Sequence, residues 1–304
     1  MSETEFLPLP PENRPLGGDG PHISAVAWGM WRFAGASVEE ATGLVETALD
    51  AGITLFDTAD IYGVDGPGWG SAEALLGEVF AASPGLRQRL VLATKGGIVP
   101  GVPYDSSSSY LASAIDASLA RLKTDYVDLW QVHRPDVLTH PEELARTLEE
   151  AVRSGKVGAV GVSNFTPSQV DALRHFLDVP LVSTQPEFSA LQIEPLADGR
   201  LDHAMRDGMA VLAWSPLGGG RIAAPESPRE REVANALDRV AEEQGVSRGL
   251  AAMSWIAAHP AHPIPIAGSQ NPGRIAELAQ LREIRWTRQQ WYAVLTAARG
   301  EPLP

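Results

Sequence analysis

Four side chains of this sequence, Asp57, Tyr62, Lys95 and His133, could together protonate a carbonyl oxygen. Three of them stand where an apolar run stops: "ITLF" runs into Asp57, "LVLAT" into Lys95 and "YVDLWQV" into His133. Tyr62 follows a few residues after Asp57 in "FDTADIYG". A phenol with an unperturbed pKa of about 10 is a poor acid at neutral pH. An ammonium held against it favours the phenolate and makes the phenol a better donor. Lys95 has the charge for this. Asp57 can pair with Lys95, keeping it protonated and oriented where an unpaired ammonium would be costly. His133 can hydrogen-bond a substrate oxygen and fix its direction. The carbonyl carbon then needs a hydride, which no side chain provides, so a nicotinamide is implied. A second chemistry uses Lys95 itself as a nucleophile that forms a Schiff base. That requires a neutral lysine, and a carboxylate at Asp57 works against it.

For these groups to meet, the ends of successive strands must converge. After residue 21 the chain alternates short β-branched runs with helical patterns. The runs are "ISAVAWGMW", "ITLF", "LVLAT", "YVDLWQV", "VGAVGV", "LVST", "MAVLAW" and "PIPIA". Helical patterns cover 38–50, 72–82, 111–122, 142–153, 167–176, 199–206 and 231–243. Strands so regularly separated by helices pair in parallel, and this number at this length predicts a closed (β/α)8 TIM barrel in a single domain over 21–304. An open doubly wound sheet is the competitor, but no GxGxxG follows the first strand. In a barrel all the carboxyl ends open on one face, where active sites of this architecture lie. The remaining strands deliver Ser163 and Asn164, Gln185, Ser215, and Gly268 with Ser269 to that face.

The opening "MSETEFLPLPPENRPLGGDG" is polar, acidic and rich in proline and glycine, so 1–20 is expected to be a flexible segment and not a signal peptide. The chain has no cysteine, which excludes disulfides, thiolate metal sites and a cysteine nucleophile. Its closest histidines, His259 and His262, are split by prolines and read as loop, so no metal site is expected. A formal net charge of -14 argues against nucleic acid or an anionic membrane as partner. No apolar stretch approaches a membrane span, and a cytoplasmic location is expected.

From about Ile23 to Arg299 the sequence resembles an aldo-keto reductase. The resemblance rests on "FDTADIYG", "LATKGG", "LARLKTDYVDLWQVHRPD", "SGKVGAVGVSNFTP", "AWSPLGGGR" and "GSQNPGRIAE", long motifs that occur in order. It implies the (β/α)8 fold, NADPH/NADP+ as cofactor and reduction of aldehydes or ketones. The family's catalytic four fall on Asp57, Tyr62 as proton donor, Lys95 and His133. The resemblance places the nicotinamide carboxamide at Ser163, Asn164 and Gln185, and the nicotinamide ring on Trp214, where relatives keep a tyrosine or another aromatic. Ser215, Leu217, Gly218, Gly220 and Arg221 are implied beside the pyrophosphate. Ser269, Gln270, Arg274 and Glu277 are implied on the adenosine side, with Arg274 pairing the 2′-phosphate. Two positions depart from the family pattern: Gly268 stands where many relatives carry lysine, and Leu278 where they carry asparagine. Trp28, Met30, Trp31 and "IVPGVPYDSSSS" are expected to border the substrate. The family also contains potassium-channel β-subunits, so a regulatory protein that keeps fold and nucleotide is a further reading.

Overall fold

Strand alternation sorts the side chains of this chain before any loop is considered. The computed structural model describes residues 5–18 and 20–303. A short antiparallel hairpin, β1 (Asn13–Pro15) and β2 (His22–Ser24), precedes the barrel. Eight parallel strands then close in chain order: β3 (Ala27–Gly29), β4 (Leu55–Asp57), β5 (Val91–Gly96), β6 (Val127–Val132), β7 (Val157–Ser163), β8 (Leu181–Gln185), β9 (Ala210–Ala213) and β10 (Ile264–Ala267). β10 pairs with both β9 and β3, which completes the ring. The expected single-domain (β/α)8 barrel is the fold.

The helices α1 (Val38–Asp50), α2 (Ser71–Ala82), α3 (Ser108–Leu122), α4 (Pro141–Arg153), α5 (Pro167–Phe176) and α6 (Arg200–Asp207) each separate two consecutive strands. Both α7 (Pro228–Gln244) and α8 (Arg248–Ala257) lie between β9 and β10, and α9 (Pro272–Glu277) and α10 (Arg288–Arg299) follow β10. Helix starts are written locally. Ser37, Thr166, Ser227 and Thr287 each form a reciprocal capping box with Glu40, Gln169, Glu230 and Gln290. The sequence pattern marks neither α8 nor α10. In α8 every residue from Leu250 to Ala257 is buried, so it has no polar face to create a helical period.

Two apolar layers result. Leu55, Val91, Ala93, Leu129, Val182, Leu212, Ile264 and Ile266 point to the axis, whereas Phe56, Leu92, Trp130 and Val160 point outward to the helices. Leu16 and Ile23 of the hairpin belong to the inner layer and are fully buried. The expectation of a flexible 1–20 segment therefore does not hold over the described part. The amino end of a parallel barrel would leave its lowest apolar ring in water, and the hairpin covers it. The Leu7 amide donates to the Trp286 carbonyl and Arg282 to the Pro10 carbonyl, tying the lead-in to the carboxyl-terminal segment. Residues 1–4 and 19 lie outside the described residues. Among the described residues no helix is long and apolar enough to cross a membrane.

Gly77 shows how closely α2 and α3 approach. A Cβ there would collide with the carbonyl oxygen of Arg121, at the end of α3. Alanine favours a helix over glycine by about 1 kcal/mol. Overpacking a backbone contact costs about 1–3 kcal/mol or more, and that effect wins. Gly77→Ala is expected to lower the urea midpoint at unchanged m value; a midpoint at or above wild type would show that the helices can part freely.

Candidate active site

Successive inward positions climb each strand in steps of two, and near the top the inner layer changes from apolar to polar. β4 presents Leu55 and then Asp57; β5 presents Val91, Ala93 and then Lys95; β6 presents Leu129 and then Gln131. The Lys95 ammonium donates to Asp57 Oδ2 at 2.7 Å and to the Thr58 carbonyl at 2.8 Å. Its side chain is wholly buried, and that of Asp57 is 2% exposed. The other carboxylate oxygen, Oδ1, accepts from Gln185 Nε2 at 3.0 Å and Gln131 Nε2 at 3.4 Å. Ser183 donates to Gln131 Oε1 at 3.3 Å. A buried ion pair survives desolvation only when its spare lone pairs and protons are also satisfied, and these amides do that. Gly161 makes room for them: a Cβ there would overlap Ser183 Oγ and lie 3.2 Å from Gln131 Cγ.

Tyr62 lies beside this pair on the loop after β4. The Lys95 ammonium is 5.1 Å from the centre of its ring. Trp31 and His133 stand edge-on to it, with ring centres 5.0 and 6.0 Å away. Burial pushes the Tyr62 phenol above its ordinary range, while the Lys95 charge pulls it down and Asp57 opposes Lys95. The lysine thus limits the rise instead of producing a net fall, which corrects the simplest reading of the sequence. For Lys95, burial would depress the pKa, but Asp57 and Tyr62 overcome this and raise it. A lysine held protonated in this way is unsuited to Schiff-base chemistry. Burial, reinforced by Lys95 and Arg134, holds His133 well below the usual histidine range, so its ring is neutral at physiological pH. Its backbone N–H is fixed by the Gly96 carbonyl at 2.9 Å. Its Nδ1 is buried without a hydrogen-bond partner among the described residues.

Asp60, inside the opening motif, carries a role that spacing did not reveal. Its backbone N–H donates to the Lys95 carbonyl at 2.9 Å. Burial and the neighbouring Glu73 push its carboxyl up to about 8, against the attraction of Arg121 and Lys95. Glu73 is taken up by Arg121 at 2.8 Å and Thr94 at 2.5 Å. Asp60 is therefore mostly protonated at neutral pH and leaves Lys95 to Asp57. Since Asp60 precedes Tyr62 by one helical half-turn of loop, only the fold shows that it faces outward, toward α2 and α3. A cleft of about 540 Å³ lies beside it, bordered by Trp69, Val99, Pro100 and Tyr110.

A second polar group gathers at the ends of β7, β8 and β9. Ser163 donates to the Gln185 carbonyl at 3.0 Å, and Asn164 Nδ2 donates to Ser163 Oγ at 2.7 Å. Trp214 Nε1 donates to Asn164 Oδ1 at 3.0 Å, and Arg134 lies 5.4 Å from the Trp214 ring centre. Asn164 and Ser215 both adopt positive φ, 62° and 53°. Asparagine tolerates this region; serine there is strained, a feature that collects at functional sites. Gln185 differs from expectation in one respect, because its amide nitrogen is engaged by Asp57.

In the loop Ser215–Arg221 the N–H groups of Gly218, Gly219, Gly220 and Arg221 all close turns, onto Ser215 O, Ser215 Oγ, Leu217 O and Gly218 O. Each amide expected in a glycine cradle is thus engaged within the loop itself. Arg221 donates to the Gly218 carbonyl at 2.8 Å. Leu217 is half-buried against the core. After β10, Ser269 Oγ accepts from the Asn271 amide at 3.2 Å, and Asn271 caps α9 by accepting from the Arg274 amide at 3.1 Å. The Arg274 guanidinium is exposed. Glu277 accepts from the Ser247 amide at 3.0 Å, so it also starts α8. Both side-chain atoms of Gln270 are buried without a partner among the described residues. A group carrying hydrogen-bonding edges would satisfy that amide, and the donor set fits a nucleotide.

Of the aromatic positions expected at the substrate, Trp31 and Tyr104, the latter in "IVPGVPYDSSSS", are exposed, at 46% and 40%. Trp28 and Met30 are fully buried. Trp28 packs against Phe33 and Phe56 and donates to the Ser269 carbonyl at 2.9 Å. They are core, because both pack into the apolar layer between the barrel and its helices. Among the described residues the one acid–histidine cluster of ligand-like spacing is Asp171, His203 and Asp207 on α5 and α6. Its carboxylates are taken by Arg174 and Arg206.

A sequence model of the Aldo/keto reductase family matches residues 25–298. The chain is 60% identical over 301 residues to a 6-dehydroglucose reductase of Novosphingobium aromaticivorans, spanning 98% of this chain and 99% of that protein. A 6-dehydroglucose reductase of Agrobacterium fabrum is 37% identical over 291 residues, spanning 92% of this chain and 95% of its own length. The crystal structure of the thermostable aldo-keto reductase Tm1743 in complex with the inhibitor epalrestat is similar at a TM-score of 0.80 and 25% identity, over 94% of this chain and 99% of that one. With barrel, polar inner layer and family match in agreement, the chain belongs to the aldo-keto reductase family, enzymes of carbonyl oxidoreduction.

Proposed function

We propose that this protein reduces an aldehyde to an alcohol with NADPH, and that its substrate is a sugar aldehyde of the 6-dehydroglucose type. The observation that carries the chemistry is the wholly buried Lys95, bonded to Asp57 at 2.7 Å and set against the Tyr62 ring. The 60% identity over almost the full length of a 6-dehydroglucose reductase supports the substrate. When bound, the cofactor supplies the hydride to the carbonyl carbon. Ser163, Asn164, Gln185 and Trp214 would hold its nicotinamide end, the loop Ser215–Arg221 its pyrophosphate, and Ser269, Gln270, Arg274 and Glu277 its adenosine end.

The chain's own part is to place and move one proton. Tyr62 donates its hydroxyl proton to the carbonyl oxygen and is left as a phenolate. Lys95 stabilises that phenolate, and the stabilisation grows as charge develops, which is where it accelerates the reaction. Asp57 keeps Lys95 charged and in place. His133, neutral, can donate one ring N–H to the carbonyl oxygen and orient it without competing as an acid.

With 6-dehydroglucose as substrate, loss of NADPH fluorescence should show multiple turnovers for the wild type. Tyr62→Phe should cut turnover by about 10²–10⁴-fold, the usual worth of a general acid, with the NADPH Kd unchanged. A variant keeping more than about a tenth of the wild-type rate would assign the proton elsewhere. No turnover by the wild type with any aldehyde would favour a regulatory role.

Lys95→Met should be as damaging as the tyrosine change, and Asp57→Asn should hurt less, because it acts one step removed. The donor must be protonated, so the reduction rate falls as pH rises through the Tyr62 pKa. That pKa is raised and His133 stays neutral. The wild-type rate should therefore be flat across about pH 6–8 and fall only above about pH 10. An inflection near the ordinary histidine range would contradict this assignment, as would an Asp57→Asn profile identical to wild type.

A further inference from the structure

β10 runs out into a glycine, Gly268, yet its exit is not short of positive charge. Gly268 has no side chain, and a Cβ built there would lie 3.6 Å from Nη1 of Arg32. Arg32 comes from the loop after β3, the strand that closes the barrel against β10. That loop is anchored to the same exit, because Trp28 Nε1 bonds the Ser269 carbonyl. Arg32 is exposed and makes no ion pair or hydrogen bond among the described residues. It reaches space that a side chain at 268 would otherwise enter. The surroundings contain the unpartnered amide of Gln270 and, one turn into α9, the exposed Arg274.

An exposed guanidinium without a carboxylate is common on a surface. In this chain of formal charge -14, with 38 acidic residues, one held beside a bare glycine, two residues before an unsatisfied buried amide, is placed for an anion. Arginine presents a planar fork suited to a phosphate monoester. We infer that Arg32 is a specificity residue that binds the cofactor's 2′-phosphate from across the β10–β3 seam, in the space left by Gly268. This rests on the NADPH reading above. The 2′-phosphate is favoured over the pyrophosphate because Arg32 abuts the β10 exit, whereas the Ser215–Arg221 loop follows β9.

Calorimetric Kd values for NADPH and NADH, without carbonyl substrate, test this in the wild type, Arg32→Ala, Arg274→Ala and the double variant Arg32→Ala/Gly268→Lys. The two cofactors differ only in the 2′-phosphate. Arg32→Ala should weaken NADPH about tenfold, the worth of one charged contact, and leave NADH unchanged. Arg274→Ala should act in the same sense. Gly268→Lys in the Arg32→Ala background should return most of the lost NADPH affinity, since it puts a cation back from the opposite wall. An unchanged NADPH Kd in Arg32→Ala would overturn the proposal. So would equal weakening of both cofactors, which would move Arg32 to a phosphate that they share, or no recovery in the double variant. A wild type that binds the two cofactors alike would instead remove the NADPH reading itself and this proposal with it. Arg32 is exposed, so Arg32→Ala is expected to fold, and an unchanged thermal midpoint confirms that.

Discussion

A lysine and an aspartate buried together at the mouth of a barrel constrain almost everything around them. Each charge removed from water costs several kcal/mol unless it is paired and its remaining bonding capacity is met. Here the ammonium has the Asp57 carboxylate and the Thr58 carbonyl, and the carboxylate has two glutamine amides as well. Those amides come from β6 and β8, so strands on both sides of the barrel must close with the correct register. Gly161 is bare because the polar layer fills its space. Beneath that layer the axis is apolar down to Leu16 and Ile23, so the pair rests on an apolar floor.

The same pair sets the charge state of its neighbours. Its positive end helps to keep His133 neutral and opposes the upward push of burial on Tyr62. Asp60, the other carboxyl close by, is mostly protonated at neutral pH because burial and Glu73 outweigh Arg121 and Lys95. One ionised pair, one neutral imidazole and one protonated phenol therefore stand together. Such an arrangement has a single mobile proton, on the phenol, and a cation ready for the charge that its departure leaves.

Much of this was legible in the sequence. Asp57, Lys95 and His133 each follow an apolar run, and period-two alternation together with barrel closure is enough to bring them together. Gln131 could not be read in the same way, because inside "YVDLWQV" it looks like one polar residue in a buried strand. Asp60 was hidden in a motif whose other members drew the chemistry. The hairpin was missed because composition reports solvation, and "NRPLGGDGPHIS" contains only two of the apolar side chains that seal the barrel floor, Leu16 and Ile23. Trp28 and Met30 look like pocket walls by position, but the β3–β4 packing buries them. The approach of Arg32 to the space left by Gly268 joins residues more than two hundred positions apart, and only the closure of β10 on β3 creates it.

The central claim is that Lys95, held by Asp57, makes the Tyr62 phenol more acidic than its buried position alone would allow. Titrating the phenol directly tests it, by NMR of protein labelled with ¹³C at tyrosine Cζ, with Tyr62→Phe used to assign the resonance. In Lys95→Met the Tyr62 pKa should lie above its wild-type value by at least about one unit, the shift that about 1.4 kcal/mol of lost charge interaction produces. A Tyr62 pKa that is the same in the variant, or lower, would contradict the claim.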